Sequence, residues 1–82
     1  MAKETYTAAK KRLLAGLVAK GYRTSDHNLK VPWAEKAGYD YRLWFRPQAI
    51  YLNAHSMFLD MRELSVDDLL LHVQRTLDIR RG

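Results

Sequence analysis

The chain has 82 residues, the size of one small domain, and 48% of them are hydrophobic, which is enough for a core. Its formal net charge is +5 and it contains no cysteine, so disulfides and thiolate metal sites are excluded and an acidic partner is favoured. No apolar run approaches the roughly 20 residues of a membrane span, and no signal-peptide core follows the first residues. We therefore expect one cytoplasmic domain over residues 1–82, with residues 1–4 disordered and no membrane partner.

The positive charge is concentrated in the first half of the chain. Residues 1–46 contain ten Lys/Arg and four Asp/Glu, a net charge of +6, whereas residues 47–82 contain four and five, a net charge of −1. Nucleic acid is a partner that such a distribution favours. Solubility alone also accounts for +5 on a small domain.

The first predicted element is an amphipathic helix that ends at about Lys20. Thr5 or Thr7 can cap its start, and Gly21 has the form of a C-terminal cap. Basic side chains, Arg12 among them, flank the apolar stripe and are expected to lie in solvent. The stripe consists of Ala9, Leu13, Leu14, Leu17 and Val18.

A strand is predicted over residues 28–33, where apolar residues alternate with polar ones and Pro32. Leu29, Val31 and Trp33 form the set expected to face the core. Pro32 cannot donate to a sheet ladder, so it marks either an edge strand or the end of the strand.

Residues 41–53 predict a β-hairpin with Pro47-Gln48 as its turn, although a slightly longer loop remains an alternative. The predicted register pairs Trp44 with Tyr51, and a slip of one residue would place the apolar face against the arginines. Tyr41, Leu43, Phe45, Ile50 and Leu52 then face the core, whereas Arg42, Trp44, Arg46, Tyr51 and Asn53 share the opposite face.

Residues 54–64 are too apolar for a free loop and hold either a fourth short strand or a helical turn. Phe58, Leu59 and Met61 are expected to cover an edge of the core. A last helix follows over residues 66–79, because Ser65 begins a sequence that resembles a capping box. Its buried stripe is predicted to be Val66, Leu69, Leu70, Val73 and Leu77.

These elements predict a two-layer α+β domain of order α-β-β-β-α, with two helices packed on one face of a three-stranded antiparallel sheet. The other face is left open to solvent. Aromatic rings can stack on bases and arginines can neutralise phosphates, so this face predicts a non-enzymatic domain that binds nucleic acid, with single-stranded RNA or DNA favoured. The predicted binding residues are Lys30, Arg42, Trp44, Arg46 and Tyr51.

The same face also has a purely structural interpretation. Trp44 and Tyr51 can form a cross-strand pair that stabilises the hairpin, with arginine stems lying over the rings. Alternatively, this face of the hairpin is covered by residues 57–61 or by a second subunit.

The order of helices and strands resembles that of double-stranded RNA-binding domains and of small bacterial toxin ribonucleases with the same layout. The resemblance covers element order over most of the chain. The last helix begins Ser65-Val66-Asp67-Asp68, where the first family has a phosphate-binding lysine cluster. His27 lies near the strand histidine of the second family but lacks its glycine and its Val-Pro-His element, so no catalytic role is carried over to it.

No catalytic residue, metal site or cofactor is predicted. His27, His55 and His72 match no common ligand spacing, and the chain has neither a Walker loop nor a GxGxxG loop.

A second class of function is protein interaction or homodimerisation. Leu71, Arg75 and Ile79 lie on the last helix away from its main stripe, and the strand over residues 28–33 offers an edge to another strand. A homodimer would bury either surface. A phage or mobile-element origin would suit so compact a chain.

Overall fold

The structure, a computed structural model, describes residues 4–26, 28–47, 49–53, 55–57 and 59–81. Each strand pairs antiparallel with the strands next to it in sequence, so the sheet order follows the chain. The predicted α+β class is confirmed. The elements are α1 (Tyr6–Ala19), β1 (Arg23–Thr24), β2 (Trp33–Glu35), β3 (Arg42–Arg46), β4 (Ala49–Leu52), β5 (His55–Met57) and α2 (Val66–Arg81).

The described residues form five strands where the sequence predicts three and allows a fourth. The additional strand over residues 54–64 is β5. The strand that the sequence does not predict is β1, which has only two residues and is therefore too short for any alternation to show. The order α-β-β-β-β-β-α departs from the α-β-β-β-α order on which the resemblance to RNA-binding domains rests.

The hairpin formed by β3 and β4 has the predicted register. At its open end, the Arg42 backbone N–H donates to Asn53 Oδ1, and the Asn53 N–H donates to the Arg42 carbonyl, both at 2.9 Å. Pro47 lies in the turn, and Gln48 lies outside the described residues. The alternation of apolar and polar residues is thus sufficient to set the pairing. The confirmed pairs are Leu43–Leu52, Trp44–Tyr51, Phe45–Ile50 and Arg46–Ala49.

The strand predicted over residues 28–33 is wrong in both its extent and its facing. The strand begins only at Trp33, and Leu29 is 48% exposed instead of buried. Pro32 is fully buried, and its carbonyl accepts from the Phe45 N–H at 2.8 Å. Since side chains alternate along an extended chain, burial of Pro32 and of Ala34 turns Trp33 toward the opposite face.

One hydrophobic core joins the inner face of the sheet to both helices. Alternate residues of β3 and β4 are fully buried, and the apolar stripes of the helices cover them. Leu59 packs against this core and Met61 lies within it, whereas Phe58 lies outside the described residues. Among the largest fully buried side chains are Leu13, Leu17, Leu43, Phe45, Ile50, Leu52, Met61 and Leu69.

One residue of the predicted helical stripe lies outside the core. Val18 is 54% exposed, whereas Leu17 is fully buried. The two side chains are separated by about 100° of helical rotation, so a stripe centred near Leu17 leaves Val18 at its outer margin.

The two helices make close contact between Gly16 of α1 and Val66 at the start of α2. A Cβ atom on Gly16 would overlap the Val66 side chain. Glycine inside a helix costs about 0.5–1 kcal/mol relative to alanine. Packing between the helices, and not helix propensity, therefore explains a glycine at this position.

The helix ends follow the predicted capping. Thr5 Oγ1 and Ser65 Oγ each accept a bond from the backbone N–H three residues later, both at 3.1 Å. Gly21 has a φ of +93°, and the Tyr22 N–H donates to the Leu17 carbonyl at 2.9 Å. The chain is thereby turned from α1 directly into β1.

Arg12 connects α1 to the segment that precedes α2. Its guanidinium donates to the main-chain carbonyls of Met61 at 3.0 Å and Leu64 at 2.7 Å, and it pairs with Glu4 at 2.9 Å. The Arg12 side chain is 38% exposed, so it does reach solvent beside the apolar stripe, but its guanidinium is also bonded to the main chain before α2. The five N–H donors of a guanidinium allow one side chain to hold all three partners.

Candidate nucleic-acid interface

The face of the sheet turned away from the helices, here called the open face, carries a row of aromatic rings. Trp33, Trp44 and Tyr51 lie directly opposite one another across β2, β3 and β4, and Ser56 of β5 continues the row. Neighbouring strands are about 4.8 Å apart, so the ring row extends over roughly 10 Å. All three aromatic residues are half-buried, which leaves part of each side chain accessible.

Charged residues flank the ring row on both sides. On one side, Arg23 lies opposite Glu35, and Glu35 lies opposite Arg42. On the other side, Arg46 ends β3 and is exposed. Among the strand residues that the structure describes, the flanks comprise three arginines and one glutamate, so the open face is positive and its carboxylate lies between the two arginines of one flank.

Arginine guanidinium groups lie over all three rings. Arg42 Cζ is 4.4 Å from the ring centre of Trp33 and 5.3 Å from that of Trp44, and Arg46 Cζ is 5.0 Å from that of Tyr51. A cation over a ring contributes about 0.5–1 kcal/mol at an exposed site. These contacts hold the rings and the guanidinium groups in one ordered layer.

Glu35 bridges the arginines of β1 and β3. Its Oε1 accepts from Arg23 Nη2 at 2.5 Å, and its Oε2 accepts from Arg42 Nε and Nη2 at 3.2 and 2.8 Å. These bonds lower the pKa of Glu35 below its ordinary value, and Arg42 is the larger cause. The carboxylate therefore stays ionised at neutral pH and occupies donors of both arginines.

A pocket of about 480 Å³ opens beside the rings of β3 and β4. Its volume lies within the range of about 300–1,000 Å³ typical of small-ligand sites. Among the residues that the structure describes, no carboxylate lies within ion-pair distance of Arg46. The pocket thus combines accessible ring surface with a cation that has no acidic partner in the described chain. It is lined by Val31, Trp44, Arg46, Tyr51 and Asn53.

The structure brings four of the five predicted binding residues together. Arg42, Trp44, Arg46 and Tyr51 share the open face, in two adjacent strands. Lys30 is exposed but lies in the segment before β2, outside any strand. None of the contacts of the open face involves it.

Three residues of the open face are missing from the sequence prediction. Trp33 lies on this face and not on the predicted core side, and Arg23 and Glu35 belong to β1 and to the part of β2 that the sequence does not predict. Pro32 is the sequence signal that bears on Trp33, because a proline is tolerated at the start of a strand and β2 begins directly after it.

The structural interpretation of this face is compatible with the geometry. The Trp44–Tyr51 cross-strand pair is present, and the guanidinium groups lie over the rings as that interpretation expects. The segment 57–61 does not cover the face with its described apolar residues, because Met57 and Met61 are buried in the core on the other side of the sheet.

The alternative interaction surface on α2 is exposed. Leu71 is 49% exposed and Ile79 is 78% exposed, and Arg75 lies exposed between them. The prediction that residues 28–33 offer a free sheet edge is wrong, because the strand that forms there, β2, pairs with a strand on each side. The sheet edges are β1 and β5, which have two and three residues.

The remaining candidates for chemistry are dispersed. His55 is exposed on β5 and His72 is half-buried on α2, while His27 lies outside the described residues. Within the described part of the chain, no three His, Cys, Asp or Glu residues are grouped so that they could hold a metal ion. Neither described helix has the length and apolar character needed to cross a bilayer.

Comparison of the chain with family models, curated proteins and solved structures finds no match in any of the three.

Proposed function

We propose that this protein binds single-stranded nucleic acid, RNA or DNA, on the open face. The observation that carries the proposal is the alignment of Trp33, Trp44 and Tyr51 across three adjacent strands, with a guanidinium over every ring. Stacking of a base on an aromatic side chain contributes about 1–3 kcal/mol and tolerates any base. The proposed activity is therefore non-enzymatic binding with little sequence preference, in the cytoplasm.

The arginines support this proposal because a guanidinium can serve a strand in two ways. It binds phosphate through paired N–H donors, and its planar surface stacks on bases as it stacks on rings. Arg46 combines both features, since it lies over Tyr51 and has no carboxylate partner among the described residues. The pocket that Arg46 lines together with Trp44 and Tyr51 offers a place for one unstacked base.

The test is fluorescence anisotropy with a labelled oligothymidylate long enough to cross the sheet. Trp44→Ala should weaken binding at least about fivefold, because one stacking platform is lost. Tyr39→Ala is the matched control, since Tyr39 is a 54% exposed aromatic residue outside the ring row. Affinity of the wild-type protein should fall steeply with salt.

Charge reversal gives a second arm of the same test. Arg46→Glu removes a cation from the open face, whereas Arg75→Glu makes the same change in net charge on α2. Binding should weaken strongly in the first variant and little in the second. Equal losses in both variants would mean that net charge, and not the open face, attracts the oligonucleotide, and unchanged binding in Trp44→Ala and Arg46→Glu would refute the proposal.

A second candidate function is homodimerisation through α2. It is favoured by the exposure of Leu71 and Ile79, two large apolar side chains that lie two helical turns apart on the same side of α2. Sedimentation equilibrium should then show a concentration-dependent dimer that Leu71→Asp disrupts. A strict monomer at high concentration would exclude this function.

A further inference from the structure

We infer that Arg23 and Arg42 form a phosphate subsite of the open face, and that the Glu35 carboxylate occupies this subsite until a nucleic-acid strand binds. The inference rests on the proposed function and adds which groups receive the backbone. It also assigns a role to Glu35, the acidic side chain among the described strand residues of the open face.

The geometry around Glu35 is that of an anion-binding site. Two guanidinium groups converge on one carboxylate, with Arg42 donating through Nε and Nη2 and Arg23 donating from the opposite side. Guanidinium groups bind carboxylate and phosphate through the same paired donors. A phosphate placed where the carboxylate lies would find both sets of donors already oriented.

Exchange of Glu35 for a phosphate is favoured by the accessibility of the pair. The Arg23 side chain is 77% exposed, and those of Arg42 and Glu35 are 36% and 26% exposed. Ion pairs between such exposed side chains contribute little to stability. Release of Glu35 therefore costs little, whereas a strand that binds here also gains stacking on the rings.

The subsite is aligned with the ring row. Arg42 and Arg23 both lie over Trp33, at 4.4 and 5.7 Å from its ring centre. A phosphate held between them places the neighbouring base at this ring. Tyr51 lies on β4, two strands away from Trp33 on β2, so the bound strand would run across the sheet from β4 toward β1.

Occupation by Glu35 also gives the site a selectivity. An anion that cannot stack merely replaces the Glu35 carboxylate as the acceptor for the two arginines, so its net binding is weak. A nucleotide strand gains the exchange together with stacking on Trp33, Trp44 and Tyr51. The predicted ligand class is therefore a phosphodiester strand with unpaired bases. Inorganic phosphate at an equal concentration of phosphate groups should not displace the bound strand.

The experiment compares the wild-type protein with Glu35→Gln and with Asp67→Asn, using the labelled oligothymidylate at several salt concentrations. Both variants gain one positive charge, but Asp67 lies in the first turn of α2, where it pairs with Lys20. Glu35→Gln should tighten binding about three- to tenfold, which is the range expected for removing exposed ion pairs. Asp67→Asn should change binding by less than about twofold, as a remote exposed charge is largely screened.

The salt dependence tests displacement itself. If a phosphate replaces Glu35 in the wild-type complex, both proteins make the same phosphate contacts and the slope of log Kd against log salt is unchanged. If Glu35 stays between the arginines, the variant gains contacts that the wild type lacks, and the slope steepens by about 0.7 per contact. A steeper slope would overturn the inference.

The other outcomes separate the two proposals. If the wild-type protein binds the oligonucleotide and Glu35→Gln binds no tighter than Asp67→Asn, the inference fails and the proposed function stands. If none of the proteins binds, both fail. Arg23→Gln is a second variant at a highly exposed side chain, with Lys11→Gln on the exposed side of α1 as its control. Binding should weaken in the first alone, and equal binding by both would also overturn the inference.

Discussion

The two faces of the hairpin formed by β3 and β4 are built from alternating residues of the same thirteen-residue stretch, 41–53, yet they have opposite properties. On the inner face, Leu43, Phe45, Ile50 and Leu52 are fully excluded from solvent. On the open face, the rings are half-buried and are held by arginines instead of by a second layer of structure.

The difference separates the residues that stabilise the fold from those available for binding. Apolar burial contributes in proportion to the area removed from water, so the inner face supplies most of the stability of the sheet. The open face contributes smaller cross-strand and cation–ring terms. A substitution on that face can therefore remove a function without removing the fold.

The largest expected effect is a difference in the free energy of unfolding between alanine variants of two adjacent residues on opposite faces of β3. Phe45→Ala should lower the free energy of unfolding by about 3–5 kcal/mol, since it leaves a cavity in the core. Trp44→Ala should lower it by about 1–2 kcal/mol, through lost cross-strand and cation–ring contacts. Urea denaturation followed by circular dichroism measures both, and equal losses would show that the open face is structural to the same degree as the core.

The contact between the two helices allows a test of core packing that does not involve the open face. Gly16→Ala should destabilise the protein by about 1–3 kcal/mol, because the new methyl group overlaps Val66. The double variant Gly16→Ala/Val66→Ala should recover most of that loss, since space is restored and alanine favours the helix. A stabilised Gly16→Ala protein in thermal denaturation would mean that the helices can separate without penalty.

The smallest effect concerns the ion pairs of the open face and depends on pH. The pKa of Glu35 is lowered in the folded protein, mainly by its bond to Arg42 and then by its bond to Arg23. Its stabilising contribution is therefore complete above the ordinary pKa of a glutamate and is lost as pH falls through the lower pKa of the folded state.

The measurement for this effect is the difference in Tm between the wild-type protein and Glu35→Gln, taken from about pH 7 down to about pH 3. The difference should be constant near neutrality and should shrink in acid. A difference that stays the same over the whole range would show that the ionised carboxylate does not stabilise the sheet.

The sequence predicts the inner face and the hairpin register because both follow from alternation over a long stretch. The alternation places four apolar side chains on the same face, namely Leu43, Phe45, Ile50 and Leu52. A slip of one residue would move all four to the solvent side together. The capped start of α2 at Ser65 is predicted for a similar reason, because several local signals coincide there.

The sequence does not predict β1 and misplaces β2, since their residues carry too little pattern. Two residues cannot show alternation, and over residues 28–33 the apolar side chains of Leu29 and Trp33 indicate the wrong face. The deciding interactions are tertiary, namely burial of Pro32 and the bond from the Phe45 N–H to its carbonyl. Arg23, Trp33 and Glu35 of the open face are consequently not predictable from the sequence pattern.

The short strands at both margins of the sheet have a consequence for the behaviour of the protein in concentrated solution. Fibril growth needs a long row of unpaired N–H and C=O groups on which an incoming chain can form a ladder. β1 and β5 offer two and three residues, which is too few for a stable cross-β template. An aromatic surface can thus remain displayed on this sheet without the sheet itself seeding amyloid.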